Sequence, residues 1–481
     1  MCTSVERGSL EAAQAIKLIG DIFFNTSNRI YNLELSPVPP ETPRQTVLST
    51  KDIKISNVDV FDNFLGQNPS VKFLRLQWLD YTTTLRARVI PVRLAIDMFK
   101  NQRSIGISKA AFGLLQQGHL IPSFSLIGEY ELIPCFESLR LAERDGYATV
   151  QGEFYEDGNK LPMCPRTALR RIVERGRGQD IAFLVGFELE FVFMTAEGHA
   201  LDHTHSWSDV SSLRNPEIMK VIEEIVTALE RSKIEVQQFH SEISQGQYEI
   251  VTGPLPPLEA VDTLLATRDT IYAVAERHGL KATFIPKPYP MTIATSAHVH
   301  MSMTPSTKYD SFYAGVLKHL RSILAFTYSN PSSYKRMQDS VWRGGLYVAW
   351  GTQNREMPLR KIEGSHWELK CMDGFANPYL AMAAILGAGV QGVIDGQSLL
   401  IKDCQVSSAL LNLETQHRLG IKERLPSTLE EAIHYLSKDE ELRVILGQQL
   451  VDTYITVKTA EMGMLNGMKE EERHKFLLKR Y

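Results

Sequence analysis

Four short stretches of this chain space ionisable side chains so that a β-strand, which returns to the same face every second residue, would gather them on one side. In "VGFELEF" (185–191), Phe187, Leu189 and Phe191 take one face and Glu188 and Glu190 the other, with the carboxylates roughly 6.5–7 Å apart along the strand. "SAHVHMSM" (296–303) sets His298, His300 and Ser302 together, and "HWELKCM" (366–372) does the same with Glu368 and Lys370. "SEISQGQYEI" (241–250) carries Glu242 and Glu249 on either side of a glycine, as a bend entering a strand would. Taken singly, each stretch reads as a half-exposed strand. On neighbouring strands, five glutamates and one or two histidines would repel and shift one another's pKa values unless divalent cations offset their charge. Oxygen-rich ligands with a single imidazole suit Mg²⁺ or Mn²⁺ better than zinc or copper. Arg336, Arg355 and Arg360 fall in a loop-rich region just before Glu368. Arginine is most often a solvated surface residue, but beside a metal site its guanidinium fork suits phosphate and carboxylate groups.

Positioning these groups requires a sheet. From residue 71, "VKFLRLQWLDYTTTLRARVIPV" reads as two strands around a polar turn, and "YELIPCF" and "YATVQGEFY" follow as further strands. This β-rich unit is expected over 67–156, after an amino-terminal extension (1–66) that mixes a helical opening with the Pro-rich "LSPVPPETP". A linker, "EDGNKLPMCPR", leads to a larger unit (163–481) that alternates strands with helices near 215–232 and 257–279. Within it, "GAGVQG" (387–392) fits a dinucleotide-binding spacing but lies inside the small-residue helix "NPYLAMAAILGAGVQGVI". Asn377 and Pro378 start that helix, so its glycines read as packing contacts. "HALDHTHS", with His199, His203 and His205, is a second, weaker place for a transition metal. The charge of -4, from 52 basic and 56 acidic residues, gives no broad basic footprint for nucleic acid or anionic membrane. Five scattered cysteines without a C-x-x-C suggest a reducing compartment. With no targeting segment and no long apolar run, the expected location is cytoplasmic, without membrane contact.

"GFELEF", "GQYEI", "KPYP", "HVHMS", "NR" followed by "LRKIE", and "ANPYLAMAAILGAG", in this order, resemble the glutamine synthetase family over residues 70 to 400 or so. "VAWGTQNREMPLRKI" and "WELKCMDGFANPYL" look closest to its divergent fungal glutamine-synthetase-like branch. The resemblance implies an α+β fold: a small β-grasp domain, then a catalytic domain whose antiparallel sheet forms a funnel flanked by helices. It implies that Glu190, Glu242 and Glu249 hold one metal ion and Glu188, His298 and Glu368 a second, with ATP and two or three Mg²⁺ or Mn²⁺ as cofactors. His300, Ser302, Arg355 and Arg360 would face the nucleotide, and Arg336 would grip the α-carboxylate of glutamate. Asp80 would reach into the next subunit's site in a homo-oligomeric ring.

The implied chemistry is ATP-dependent ligation of a small carboxylate to an amine through an acyl phosphate, which needs positioning and charge compensation more than a covalent nucleophile. Three departures bear on the substrate. Lys370 stands where the family has an arginine; the stretch before His298 reads "IATSA"; and the flap that carries a glutamate in ammonia-using members reads "QDSVWRGG" (338–345), placing Trp342 or Arg343 there. A larger or aromatic amine, packed on Trp342, is therefore expected in preference to ammonia. The competing readings are an ordinary ammonia-using glutamine synthetase and a catalytically silent structural or signalling oligomer. A silent site need not keep all six metal-ligand positions, and this chain has them all.

Overall fold

The computed structural model describes residues 55–201, 205–289, 294–337, 345–407 and 410–481. Alternating apolar residues in the first part build a six-stranded sheet of β1 (Phe73–Leu79), β2 (Leu85–Pro91), β3 (Ile105–Ser108), β4 (Glu129–Leu141), β5 (Tyr147–Glu156) and β6 (Asn159–Lys160). Its order is β2-β1-β5-β4-β3, with β6 beside β5; β1 and β5 run parallel and the other pairs antiparallel. Helix α1 (Val58–Gln67), in the stretch expected to be an extension, packs on this sheet. Its Phe61 stacks on Phe136 of β4 at 5.3 Å and meets Phe99 of α2 (Val92–Lys100) edge-on. The packed unit therefore includes residues before 67.

The second sheet has eight strands: β7 (Ala182–Thr195), β8 (Val236–Ser241), β9 (Gln247–Thr252), β10 (Leu280–Thr283), β11 (Ala297–Thr304), β12 (Trp350–Thr352), β13 (Leu359–Glu363) and β14 (His366–Leu369). The order is β12-β13-β14-β11-β7-β9-β8, with β10 also on β7, and only β12 and β13 pair in parallel. β7 is central because Val185, Phe187, Leu189, Phe191 and Phe193 are all buried, giving one continuous apolar face. Helices α3 (Pro165–Arg177), α4 (Pro216–Arg231), α5 (Pro257–Arg277), α6 (Tyr309–Thr327) and α7 (Pro378–Ile394) accompany it. The helix starts follow the expected chemistry: the Asn377 side chain accepts from the backbone N–H groups of Tyr379 and Leu380, and Pro378 occupies the first turn. The glycines of "GAGVQG" are packing contacts, as their setting within a helix predicts. A Cβ on Gly389 would come within 2.2 Å of the Phe312 ring, and one on Gly392 within 2.3 Å of Ser311 O. No described helix is long and apolar enough to cross a membrane.

A buried ionic cluster ties the two sheets together. Arg166 of α3 bonds Asp262 of α5 through Nη2 (2.8 Å) and Nε (3.2 Å), and Glu153 of β5 through Nη1 (2.9 Å); all three are almost fully enclosed. Tyr379 of α7 donates to the same Asp262. Removing one partner of such a cluster leaves a charge without compensation, which costs about 3–5 kcal/mol. Asp262→Ala is thus expected to lower unfolding stability by about that amount, seen as a reduced denaturant midpoint; an unchanged midpoint would show that the cluster does not hold the units together.

Candidate active site

Pairing across the second sheet turns separate sequence stretches into one lateral row. His240 of β8 lies opposite Glu249 of β9, and Glu249 opposite Glu190 of β7. On the other flank His298 of β11 lies opposite Glu188, and Glu368 of β14 lies between His300 and Arg360 of β13. Directly opposed residues on adjacent strands are about 5 Å apart, so the row concentrates carboxylates and imidazoles within contact of one another.

The row divides into two halves. In the first, Glu188 is bonded by both histidines, His298 Nδ1 to Oε2 at 3.0 Å and His300 Nε2 to Oε1 at 2.9 Å. Glu368 is held by Arg360 Nη1 (3.0 Å) and Lys370 Nζ (3.0 Å), with His298 Nδ1 at 3.3 Å. Burial raises the pKa of Glu188, but the hydrogen bonds from His298 and His300 outweigh it and hold the carboxyl well below the usual range. Burial likewise works against ionised Glu368, and the charges of Lys370 and His298 overcome it, bringing its pKa to about 2.

The second half is less well balanced. Glu190 accepts from Gln247 Nε2 (2.7 Å) and Ser296 N (3.0 Å), while Glu249 and Glu242 share one imidazole, His240, at 3.3 and 3.6 Å. Burial pushes the pKa values of Glu190, Glu242 and Glu249 up; His240 offsets this in part for Glu242 and Glu249, and is itself raised chiefly by its bond to Glu249.

Ligand atoms of Glu188, His300 and Glu368 lie within 4.8 Å of one another, as do those of His240, Glu242 and Glu249. Both groups offer carboxylate oxygens and imidazole nitrogens, a donor set that suits Mg²⁺ or Mn²⁺. His298 Nε2 is buried without a hydrogen-bond partner among the described residues, and three glutamates are burdened by burial. These residues fit divalent cations.

All six residues expected to hold metals therefore fall on this row or beside it. His300, expected on the nucleotide side, also touches the first group, and Ser302 lies farther along β11, opposite Leu184. Arg355 is exposed in the turn between β12 and β13. Arg336 is fully enclosed, its Nη2 donating to Ser296 Oγ (2.6 Å) and its Nη1 to Met372 O (2.9 Å), so it steadies the segment that bonds Glu190. Asp80 caps its own turn: Oδ1 accepts from Thr82 N and Thr84 N, both at 2.9 Å, and Oδ2 pairs with Arg86 at 2.8 Å. No hydrogen bond or ion pair joins Asp80 to the row among the described residues. Trp342, Arg343 and Asp339 of the flap, residues 1–54, and His203 of "HALDHTHS" lie outside the described residues. Sequence reasoning missed His240 and His366. His366 Nε2 lies 2.9 Å from His300 Nδ1, and its spacing of two from Glu368 was the signal for it. His240 follows the same rule with Glu242. A groove of about 1590 Å³ lies elsewhere, among Arg75, Glu143, Asp269 and Arg277, and holds none of the clustered acids. Several of its charges pair with one another, as in Arg75–Asp269 at 2.7 Å and Arg277 with Glu143.

Residues 162–476 match the family model described as glutamine synthetase, catalytic domain. The chain is 41% identical to Protein fluG of Emericella nidulans over 99% of its own length and spans 56% of that relative. It is 32% identical to the gamma-glutamylpolyamine synthetase GlnA3 of Streptomyces coelicolor, over 72% of this chain and 79% of that one. Among solved structures, the GmaS/ADP complex superposes with a TM-score of 0.74 at 26% identity, covering 86% of this chain and 98% of that one.

The divided electrostatics dictate how stability responds to pH. Glu190, Glu242 and Glu249 hold their protons in the folded chain above the ordinary carboxylate value of 4.5, and His240 above the ordinary 6.5. Over that window the folded state binds more protons than the unfolded one, so stability falls as pH rises. In chelator, the melting temperature is expected to drop between about pH 5 and about pH 8, less steeply in Glu249→Gln. Millimolar Mg²⁺ or Mn²⁺ should reverse the drop by favouring the ionised carboxylates; equal melting temperatures with and without the cation at every pH would refute the metal assignment.

Proposed function

The chain belongs to the glutamine synthetase family, and from that premise we propose that it is an ATP-dependent carboxylate-amine ligase joining glutamate, or a related acid, to an amine. The observation that carries this reading is the row itself: two groups of carboxylate and imidazole ligands on one face of one sheet, flanked by Arg360 and Lys370. The ligase named for a γ-glutamylpolyamine product and the structural neighbour holding ADP support it.

A carboxylate is a poor electrophile, so the γ-phosphoryl group of ATP is transferred to a carboxylate oxygen, with ADP leaving. The amine nitrogen then attacks the acyl carbon, the C–O bond to phosphate breaks, inorganic phosphate departs, and the nitrogen gives up a proton. Divalent cations held by Glu188, His298, His300 and Glu368 on one side, and by Glu190, Glu242 and Glu249 on the other, would offset the charge of the phosphoryl oxygens. Arg360 bonds Glu368 of the row and Arg355 is exposed in the turn between β12 and β13; both would bind phosphate oxygens in this reading. Lys370 brings a point charge where the family's arginine brings a fork, a looser hold on the acid. The grip of Arg336 on an α-carboxylate requires exchanging its bond to Ser296 or to Met372 O for the substrate.

Among the described residues no hydrogen bond or ion pair joins Asp80 to its own chain's row, in keeping with a homo-oligomeric ring in which Asp80 would serve a neighbouring subunit. A head-to-tail interface with rotational closure generates such a ring.

Two experiments test the proposal. Purified protein with Mg²⁺, ATP, glutamate and an amine panel should release ADP only when acid and amine are both present; efficient glutamine formation from ammonium, with no response to larger amines, would make it an ordinary glutamine synthetase. Separately, Asp80→Asn keeps the turn's acceptor but removes the carboxylate, and Glu242→Ala removes a metal ligand. Each variant alone should lose at least about tenfold in kcat/KM, equivalent to about 1.4 kcal/mol, and subunit mixing should recover part of the activity. Mixtures that stay inactive after proven exchange, or a monomer in solution, would defeat the shared-site reading.

A further inference from the structure

The Asp80 turn is held in a conformation that its own residues do not favour. Thr83 has φ 62°, in the left-handed region, where a β-branched residue is a genuine outlier. Thr82, one position before it, donates to Asp80 Oδ1 from its amide (2.9 Å) and again from its hydroxyl (2.8 Å), so it supplies two of the bonds that aim the carboxylate. The buried carbonyl of Thr82 in turn accepts from the Tyr481 hydroxyl, 399 residues away in the chain. That tyrosine is anchored at both ends. Its hydroxyl accepts from Gln116 Nε2 (2.9 Å), and Gln116 also donates to Glu461, a buried carboxylate paired with Lys458 Nζ at 2.7 Å. Its main-chain oxygen accepts from Phe284 N (2.8 Å), the Tyr272 hydroxyl (2.8 Å) and Thr283 Oγ1 (2.9 Å), and its ring meets Phe375 edge-on at 4.9 Å. A core tyrosine needs one partner for its hydroxyl. This one gives its proton to a strained turn and takes a second bond from a separate buried network.

We infer that Tyr481 is a positioning residue for the ligase site: its hydroxyl fixes Thr82, and through Thr82 the direction of the Asp80 carboxylate toward the site that carboxylate serves. This rests on the reading above that Asp80 completes a site, and it names the residue on which that contribution depends. A buried carbonyl oxygen that loses its donor favours any rearrangement that finds it another, and relaxation of Thr83 toward negative φ releases strain at the same time. Such a movement displaces Asp80, and a small misplacement of a reacting or binding group costs turnover far more than stability. Tyr481 also refers the turn to the frame of the row. The segment it bonds at Thr283 and Phe284 is closed by Thr295 N on Pro286 O (2.7 Å) and Thr295 Oγ1 on Ile285 O (3.0 Å), and the next residue, Ser296, donates to Glu190.

The test compares wild type, Tyr481→Phe, Asp80→Asn and the double variant as purified full chains with Mg²⁺, ATP, glutamate and whichever of ammonium chloride and n-butylamine releases more ADP. Tyr481→Phe keeps the ring against Phe375 and all three bonds to the main-chain oxygen. Its kcat/KM is expected to fall about tenfold, and in the Asp80→Asn background the same change should cost less than about twofold, because both act on one carboxylate. An unchanged kcat/KM overturns the inference, and so does a loss of about tenfold in both backgrounds, the result of a merely structural role. Amide hydrogen exchange gives a reading independent of turnover: uptake over residues 80–86 should be about tenfold faster in Tyr481→Phe, with β9 unchanged. If no acid and amine pair releases ADP, the ligase reading falls and that exchange decides the tether alone: faster uptake confined to the turn upholds it, and equal uptake, or faster uptake in both segments, overturns it. Should Tyr481→Phe fail to fold, Gln116→Leu, which removes the donor that orients the hydroxyl, takes its place with the same outcomes expected at about threefold.

Discussion

The rest of the molecule is arranged around one cost, that of enclosing five carboxylates on a single sheet face. The register of β7 between β9 and β11 allows no escape, because it sets Glu190 against Glu249 and Glu188 against His298. Enclosing an ionised carboxylate without a partner is far more expensive than leaving it in water. In one half the chain meets that cost itself, with His298, His300, Arg360 and Lys370 around Glu188 and Glu368. In the other half it does so only in part, with His240 and a few neutral donors. A site whose own residues leave one side short of positive charge is one whose cations and substrates complete the structure as well as the chemistry.

Holding that row steady falls to apolar and backbone contacts behind it. Trp367, facing away from the row between His366 and Glu368, stacks on Tyr313 of α6 at 4.0 Å and fixes β14 against the helix layer. The turn of Asp80 is docked by Thr83 Oγ1 on Phe375 O (2.7 Å), by Asn377 Nδ2 on Asp80 O (3.0 Å), and by the Tyr481 hydroxyl on Thr82 O. Asn377 thus serves twice, as the cap of α7 and as the anchor of that turn. The segment 372–377 bonds Arg336 at one end and the Asp80 turn at the other, so the two sheets share one rigid seam.

Much of this was legible in sequence where local rules decide the outcome. The period of two in "GFELEF" and "HVHMS" placed Glu188, Glu190, His298 and His300, and the Asn377–Pro378 start and the helical setting of "GAGVQG" were read from capping and packing rules. The missed residues depend on pairing. β8, "VQQFHS", lacks a clean apolar alternation, so nothing local says that His240 faces Glu249; only the register of β8 with β9 does. Helix α1 was hidden for a similar reason: nothing local in "VDVFDNFLGQ" singles out Phe61, and its value appears only once Phe136 and Phe99 surround it.

The glycine seam between α6 and α7 limits where this chain is free to diverge. A Cβ on Gly315 would stand 2.3 Å from Ala388 O, and one on Gly392 2.8 Å from the Cα of Gly315, so neither helix accepts an added methyl group without moving the other. Because α7 begins at the residue that anchors the Asp80 turn, such a shift would carry into the scaffold of the site. Substitutions in the loops that rim the strands do not meet this constraint. The seam thus leaves the rim free to change while the framework beneath it stays locked, so rigidity in one layer is what permits variation in the other.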